Sequence, residues 1–455
     1  MPCKIIIVGN NAAGSGVVSA ARKTDRDAEI IVIDKGKYPA YSRCGLPYVL
    51  AGEISSFENL ITFPFSFYEL MKIDLRLETL VTSVEPKENT VTTEREGKIE
   101  KIKYDSLVLA TGADTFIPPI KGFDKDGVYS LRSMDDGKKI QKAMNKATSA
   151  VIIGAGFIGL EIAHAFVEKG ITTTVIEMAQ HILPAVFDID MATFAHKKME
   201  KRGVRVMAST TTKEIVGKEK VDGILVGNKI VKADMVIMAT GVRANTDLAK
   251  KIGLTLGIDD RTIRVNSRME TSIPNIYAAG DCAESKNFIT GLPTVCQLGT
   301  TAVRHAKVAG INAAGGYSIF PGVISSAVTK MFGFEVGATG ITESQANKAG
   351  LEAVTGSLTS TTKPLYFPGG KEIKAKIIAE KEFGTVIGGQ IVGGEDVAQR
   401  VNMISLAIQN RMTVVELAKA DTCYAPPVAE TWEPIALAAE LAMSKLRAAY
   451  CKDLF

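Results

Sequence analysis

Val151-Ile152-Ile153-Gly154-Ala155-Gly156-Phe157-Ile158-Gly159 is an apolar run broken by three glycines, and its reading decides the fold. Val151 to Ile153 reads as a buried strand. The glycines permit a tight bend, close approach of backbone to a pyrophosphate, and close packing of helix on strand. A helical stretch continues to about Lys169, Gly170 follows, and Thr172 to Ile176 forms a second strand that ends at Glu177. The start of such a helix offers unpaired N–H groups and a positive dipole end to phosphates. The acid about 20 residues further on accepts hydrogen bonds from ribose hydroxyls. Gly154, Gly156, Gly159 and Glu177 thus read as one complete dinucleotide site. A carboxylate at 177 repels a 2′-phosphate, so NADH is favoured over NADPH.

The pattern also stands at the N-terminus. Lys4 to Val8 reads as a strand, Gly9 to Gly14 as the turn, Ala13 to Lys23 as a small-residue helix, and Glu29 to Asp34 as the next strand. Asn11 occupies the middle glycine position, where its tolerance of left-handed backbone would preserve the turn. Asp34 supplies the acid. Two such units in one chain, joined to the strand-turn runs Leu107–Gly112, Val236–Gly241 and Ile276–Asp281, outweigh a pair of generic packing turns. From about Ile319 the texture changes to alternating strands, a long helix near Val397 to Gln409, a Pro426-Pro427 turn and an Ala-rich terminal helix. That stretch reads as a separate α+β domain.

With 455 residues, two or three cores are expected. A net charge of +4 spread over this length gives no reason to expect a nucleic-acid or membrane partner. No apolar stretch approaches the roughly 20 residues of a membrane helix, and no signal-peptide pattern precedes Ile5, so a cytoplasmic protein is expected. The six cysteines, Cys3, Cys44, Cys282, Cys296, Cys423 and Cys451, form no close pair. A zinc site or a secreted disulfide framework is therefore not expected, and no metal ligand is assigned.

On these residues the chain resembles the pyridine nucleotide-disulfide oxidoreductase family along essentially its whole length. The resemblance implies α/β architecture: two Rossmann-like domains and a C-terminal α+β dimerisation domain. It divides the chain into an FAD domain (1–113 and 242–318), an NAD(P)H domain (114–241) and a dimerisation domain (319–455). Gly280 and Asp281 are expected at the flavin ribityl chain and pyrophosphate. Further cofactor contacts are expected at Ala12, Ala13, Lys35, Thr111, Gly112, Phe157, Ile158, Glu161, Gly241, Gly299 and Thr300. Within the family, Cys44-Gly45-Leu46-Pro47-Tyr48 and Tyr424-Ala425-Pro426-Pro427 resemble the single-cysteine branch: coenzyme A disulfide reductases, NADH oxidases and peroxidases, and persulfide or polysulfide reductases. There the Tyr enters the partner subunit's active site, which implies a homodimer.

No thiol neighbours Cys44, so its second sulfur has to come from substrate, or Cys44 has to cycle through a sulfenic acid. Arg43 next door is expected to lower the thiol pKa. The four histidines, His164, His181, His196 and His305, all lie before the terminal domain. Proton delivery is then expected from Tyr424 of the partner subunit, aided by Tyr366. Ala12 stands where peroxidase-type relatives carry a His. Ser42, Arg22 and Lys23 are substrate-binding candidates, the two basic residues for the phosphates of CoA, although Ala40 and Arg43 depart from the CoA-reducing pattern. Cys423 and Cys282 are expected to be structural. The activity implied is FAD-dependent reduction of a disulfide, persulfide or polysulfide such as CoA disulfide by NADH or NADPH. The alternative is an NADH oxidase reducing O2 through a sulfenate. A slow redox-sensing flavoprotein is the reading from another class.

Overall fold

The computed structural model describes residues 2–452, with side chains described as far as residue 448. Two five-stranded parallel sheets carry the first two-thirds of the chain. The first runs Ile276–Ala278, Ser106–Leu109, Lys4–Val8, Glu29–Ile33, Ile73–Arg76 in spatial order. The second runs Arg205–Met207, Thr172–Ile176, Ser149–Ile153, Met235–Met238, Val128–Tyr129. All ladders in both are parallel. Strands such as Ile5-Ile6-Ile7 and Val151-Ile152-Ile153 are buried on both faces, which is why they read as unbroken apolar runs rather than alternations.

In each sheet the strand preceding the glycine turn has neighbours on both sides, and the strand order reverses around it. Ligands of open α/β sheets bind at such a switch point. The register makes the two edges equivalent. Val8 pairs with Ile33 and Leu109, so Gly9, Asp34 and Ala110 emerge level. Ile153 pairs with Ile176 and Met238, so Gly154, Glu177 and Ala239 do the same. Each unit also carries a three-stranded antiparallel sheet, Leu80–Glu85/Thr90–Arg95/Lys98–Lys103 and Thr212–Val216/Gly223–Val226/Lys229–Lys232.

A third, antiparallel sheet runs Ala327–Met331, Phe334–Gly340, Val386–Gly393, Glu372–Glu380, Ala353–Thr361. The helices Val397–Gln409 and Pro434–Lys452 cover it, sharing a core that includes Ile377, Ile391, Val401, Ile404 and Ala438. Among the described residues, no helix is long and apolar enough to cross a membrane.

Candidate active site

The two glycine turns are built alike. Gly9 and Gly154 each adopt φ +107°, and a side chain at either would strike the carbonyl of the alanine that follows the adjacent strand, Ala110 or Ala239. Only glycine fits there. The acids close the turns from the other side. Asp34 accepts from Asn10 N (2.7 Å) and Gly36 N (2.6 Å). Glu177 accepts from Ala155 N (2.7 Å) and Ala179 N (2.8 Å). Each carboxylate oxygen keeps a further lone pair for a ribose hydroxyl.

Asn11 differs from the sequence expectation. Its backbone is extended (φ −99°), not left-handed, and its side chain accepts from Ala12 N at 3.0 Å. It caps the helix Ala12–Thr24. The equivalent Gly156 is also extended (φ −77°), and a Cβ there would meet nothing. The middle position therefore has room for a side chain, and the missing glycine costs the turn nothing.

A cavity of about 2000 Å³ joins both turns to the third domain. Asn11, Ala12, Ala13, Asp34, Lys35, Thr111, Gly112, Gly299 and Thr300 line one arm; Gly156, Phe157, Ile158, Glu161 and Gly241 line the other. Ser42, Arg43, Cys44 and Asp281 stand with them. Gly14, Gly154, Gly159, Glu177 and Gly280 lie behind this surface and shape it. None of the four histidines, all among the described residues, lines the cavity.

Cys44 sits in the single helical turn Arg43–Gly45 that leads into the helix Leu46–Ala51, whose first turn holds Pro47. Proline suits that position because its missing N–H would be unpaired anyway. The side chain is exposed to the cavity, and it forms no disulfide, like the other described cysteines. Crowding by protein, then the Glu161 and Asp281 carboxylates, holds the Cys44 thiol above the usual thiol range, and Arg132 works against them. Arg43 does not play the part expected of it: it acts on the Tyr41 hydroxyl instead, and its Nε is buried without a partner. Adjacent residues on a helical turn do not share a face.

Arg22 is also placed differently. Its guanidinium donates to the carbonyls of Met71 (3.0 Å), Arg26 (2.8 Å), Ala28 (2.7 Å) and Lys72 (3.1 Å), and it does not line the cavity. Lys23 does line it, together with Arg304 and Lys307 from the facing helix Gly299–Ala313. Tyr366 and Tyr424 lie outside this chain's own cavity, hydroxyl to hydroxyl at 2.6 Å and 72% and 44% exposed. Cys282 is buried against the Leu109 and Ala279 carbonyls, whereas Cys423 is exposed rather than a core thiol. Cys451 lies outside the described side chains.

The sequence reading missed three residues. Arg132 pairs with Asp281 at 2.8 Å and donates from Nε to Ala113 O (2.8 Å), bringing a cation to the cleft. Tyr48 and Thr329 join Glu161 in a hydrogen-bonded line: Thr329 Oγ1 donates to Glu161 at 2.6 Å, and the Tyr48 hydroxyl lies 3.0 Å from Thr329 Oγ1.

The profile described as pyridine nucleotide-disulphide oxidoreductase matches residues 3–310, and that family's dimerisation-domain profile matches 326–436. The chain belongs to the pyridine nucleotide-disulphide oxidoreductase family. Among its relatives in this family, the NADH oxidase of Methanocaldococcus jannaschii is 46% identical, over 97% of this chain and 99% of that protein. The CoA-dependent NAD(P)H sulfur oxidoreductase of Pyrococcus furiosus is 34% identical, over 96% and 98%. The solved NAD-dependent persulfide reductase from A. fulgidus superposes with a TM-score of 0.94 at 38% identity, covering 98% of this chain and 84% of that one. The family implies FAD and NAD(P)H, and the cleft fits them. Its volume exceeds the roughly 1,000 Å³ upper end of drug-sized pockets. The buried donors Asn10 Nδ2 and Arg43 Nε, both on residues lining it, lack partners.

Proposed function

We propose that the chain is an FAD-dependent oxidoreductase that passes electrons from NADH to a disulfide, persulfide or polysulfide through Cys44. The observation that carries this reading is a single thiol open to the cleft with no second cysteine beside it among the described residues. A thiolate at Cys44 attacks one sulfur of the acceptor, and the mixed disulfide is then reduced. The FAD supplies the two-electron link from nicotinamide to sulfur. We assign 1–113 with 242–318 to FAD, 114–241 to NAD(P)H and 319–455 to dimerisation.

Asp34 and the Gly9–Gly14 turn hold the FAD ribose and pyrophosphate, with Asp281 and Gly280 at the ribityl chain. Glu177 and the Gly154–Gly159 turn hold NADH. Lys23, Arg304 and Lys307 form a basic rim suited to the phosphates of CoA. Arg304 and Lys307 are one turn apart on a single helix and share a face. The exposed side chains Leu365, Tyr366, Tyr424, Val428 and Trp432 are the aromatic and apolar kind that dimer interfaces bury. In the homodimer, the Tyr424–Tyr366 pair faces the partner's Cys44, where a neutral phenol donates to a leaving thiolate.

The 46%-identical relative named NADH oxidase supports a second reading, in which O2 is the acceptor and Cys44 cycles through a sulfenate. One experiment separates the two. Cys44→Ser is expected to retain FAD and its reduction by NADH while losing turnover of CoA disulfide and polysulfide by at least about a thousandfold, the scale of a lost nucleophile. Unchanged disulfide turnover in that variant refutes the mechanism. Rapid O2 consumption by the wild type, with no turnover of any sulfur acceptor, selects the oxidase.

A further inference from the structure

We propose that Phe57 and Gly137 are positioning residues for Cys44. The turn that holds the sulfur is seated on the second sheet's domain, and the Phe57 ring lodged against Gly137 fixes that seat. The inference rests on the reading of Cys44 as the redox-active sulfur. The chain leaves the first sheet after Ile33 and rejoins it at Ile73. Between those strands, Leu46, Val49, Leu50, Phe57 and Leu60 are buried in one core with Ile152, Ile162 and Phe166 of the second sheet's domain. Among the described residues, none from 38 to 61 enters either of the two cores that hold the first sheet's Ile5, Ile6 and Ile7. Burial of apolar surface is the dominant force placing a segment, so the Cys44 turn takes its position from the second domain.

Two glycines show where the grip is tightest. Gly137 follows the capping box Ser133–Asp136 at the start of the helix Met134–Met144. Its φ is not positive, so no backbone conformation demands a glycine there, and the helix forgoes about 1 kcal/mol relative to alanine. The reason for it is steric. A Cβ at 137 would lie 2.5 Å from Phe57 Cε1 and 2.9 Å from Phe57 Cζ. Gly45, beside Cys44, repeats the device: its φ is −79°, and a Cβ would strike Leu60 Cδ2. A single turn joins the two large side chains, with Leu60 N donating to Phe57 O at 3.1 Å, and Ser42 N donates to Leu60 O at 2.8 Å. The line Gly137–Phe57–Leu60 thus ends on Ser42 and Gly45, the residues that bracket Arg43 and Cys44.

Polar contacts run between the same two pieces. The Tyr38 hydroxyl donates to Asp135 at 2.8 Å, Met134 N donates to the Tyr41 hydroxyl at 3.4 Å, and Lys138 pairs with Glu58 at 3.1 Å. Met134, Asp135 and Lys138 all lie on the helix that holds Gly137. The exposed ion pair adds little energy, but with the hydroxyl bonds it fixes the register of the segment on that helix. The packing has a mechanical consequence. A methyl group at 137 has to push the Phe57 ring back by about 1 Å to reach ordinary carbon contact. The ring is buried, so the shift passes to Leu60 and the Cys44 turn. A misplacement of about 1 Å can cost on the order of a hundredfold in rate.

The test compares wild type, Gly137→Ala and Gly137→Ala/Phe57→Leu as FAD-loaded enzymes, the second change removing the part of the ring that meets the new methyl group. The first readout needs no acceptor: the rate of Cys44 alkylation by iodoacetamide, followed at peptide level by mass spectrometry. Gly137→Ala is expected to shift this rate by at least about threefold, because the surroundings of the thiol change. In the second readout, Cys44 is capped as a mixed disulfide with a small thiol, and NADH is added without oxygen. Cys44–S–S–R, NADH and H⁺ give Cys44–SH, R–SH and NAD⁺, two electrons breaking one S–S bond. Gly137→Ala is expected to release the thiol at least about tenfold more slowly, while NADH reduces the flavin at the wild-type rate. The double variant is expected to recover most of both changes. Wild-type alkylation and release in Gly137→Ala, a double variant no better than it, or an equal slowing of flavin reduction overturns the assignment. If the wild type itself releases no thiol, the sulfur-acceptor reading fails instead, and the alkylation rates still judge the seat.

Discussion

Glu177 does two things with one carboxylate. It clamps the glycine turn through Ala155 N and Ala179 N, and in the proposed NADH site it is the acid that a 2′-phosphate would meet. Glu177→Ala is expected to raise the ratio of kcat/KM for NADPH over NADH by roughly tenfold, the scale of one removed charge clash of about 1.4 kcal/mol. Most of the change should fall in KM, and steady-state kinetics with both nucleotides measures it. The places of Glu177 and Asp34 at the glycine turns were legible because the pattern is local: glycine turn, helix and acid fall within one short stretch. Arg132 was not, because its significance is a partner 149 residues later, brought close only by folding. Arg43 misled for the opposite reason. Adjacency in sequence placed it beside Cys44, but the helical turn sends the two side chains apart.

The elements themselves are held by caps and clamps, of which Asp234 is the most heavily used. Its Oδ2 accepts from Thr148 N (2.7 Å), Ser149 N (2.8 Å) and both hydroxyls (2.8 and 3.1 Å), tying the start of Met235–Met238 to the start of Ser149–Ile153. These bonds, led by that from Thr148 N, lower its carboxyl to about 2. A folded pKa below the unfolded value of about 3.9 gives stability that is present above that value and is lost as pH falls through 2. Asp234→Ala is expected to cost about 2 kcal/mol at neutral pH, typical of a carboxylate holding several donors, and progressively less toward pH 2. Thermal unfolding of both proteins over that range checks it. Among elements, the parallel strands were readable as apolar runs. The small antiparallel sheets were not, since a strand such as Lys98–Lys103 is exposed along most of its length and carries charge where a core strand would not.

At the scale of the molecule, a buried lysine stands at the centre of the polar contacts between the second sheet's domain and the third. The Lys376 side chain, 5% exposed, reaches Asp190 at 2.9 Å, Asp188 at 3.1 Å and Glu343 at 3.3 Å. Burial pulls its ammonium down, but the carboxylates outweigh that and leave it above its ordinary value. Lys376→Met leaves Asp188 and Glu343 without their cation, while Asp190 keeps Lys374 at 3.8 Å, so a loss of about 3 kcal/mol is expected in equilibrium unfolding, the lower range for breaking a buried ionic cluster. In the proposed mechanism Cys44 is the redox-active sulfur, and its disulfide partner comes from the acceptor rather than from the protein. Peptide-level mass spectrometry under non-reducing conditions tests this most directly. The FAD-loaded enzyme is reduced by NADH without oxygen, mixed with a small symmetrical disulfide and quenched by alkylation. The acceptor's thiol attached to Cys44, with every other cysteine alkylated, is the predicted result. A bond from Cys44 to Cys423 or to any other cysteine of the protein would contradict it.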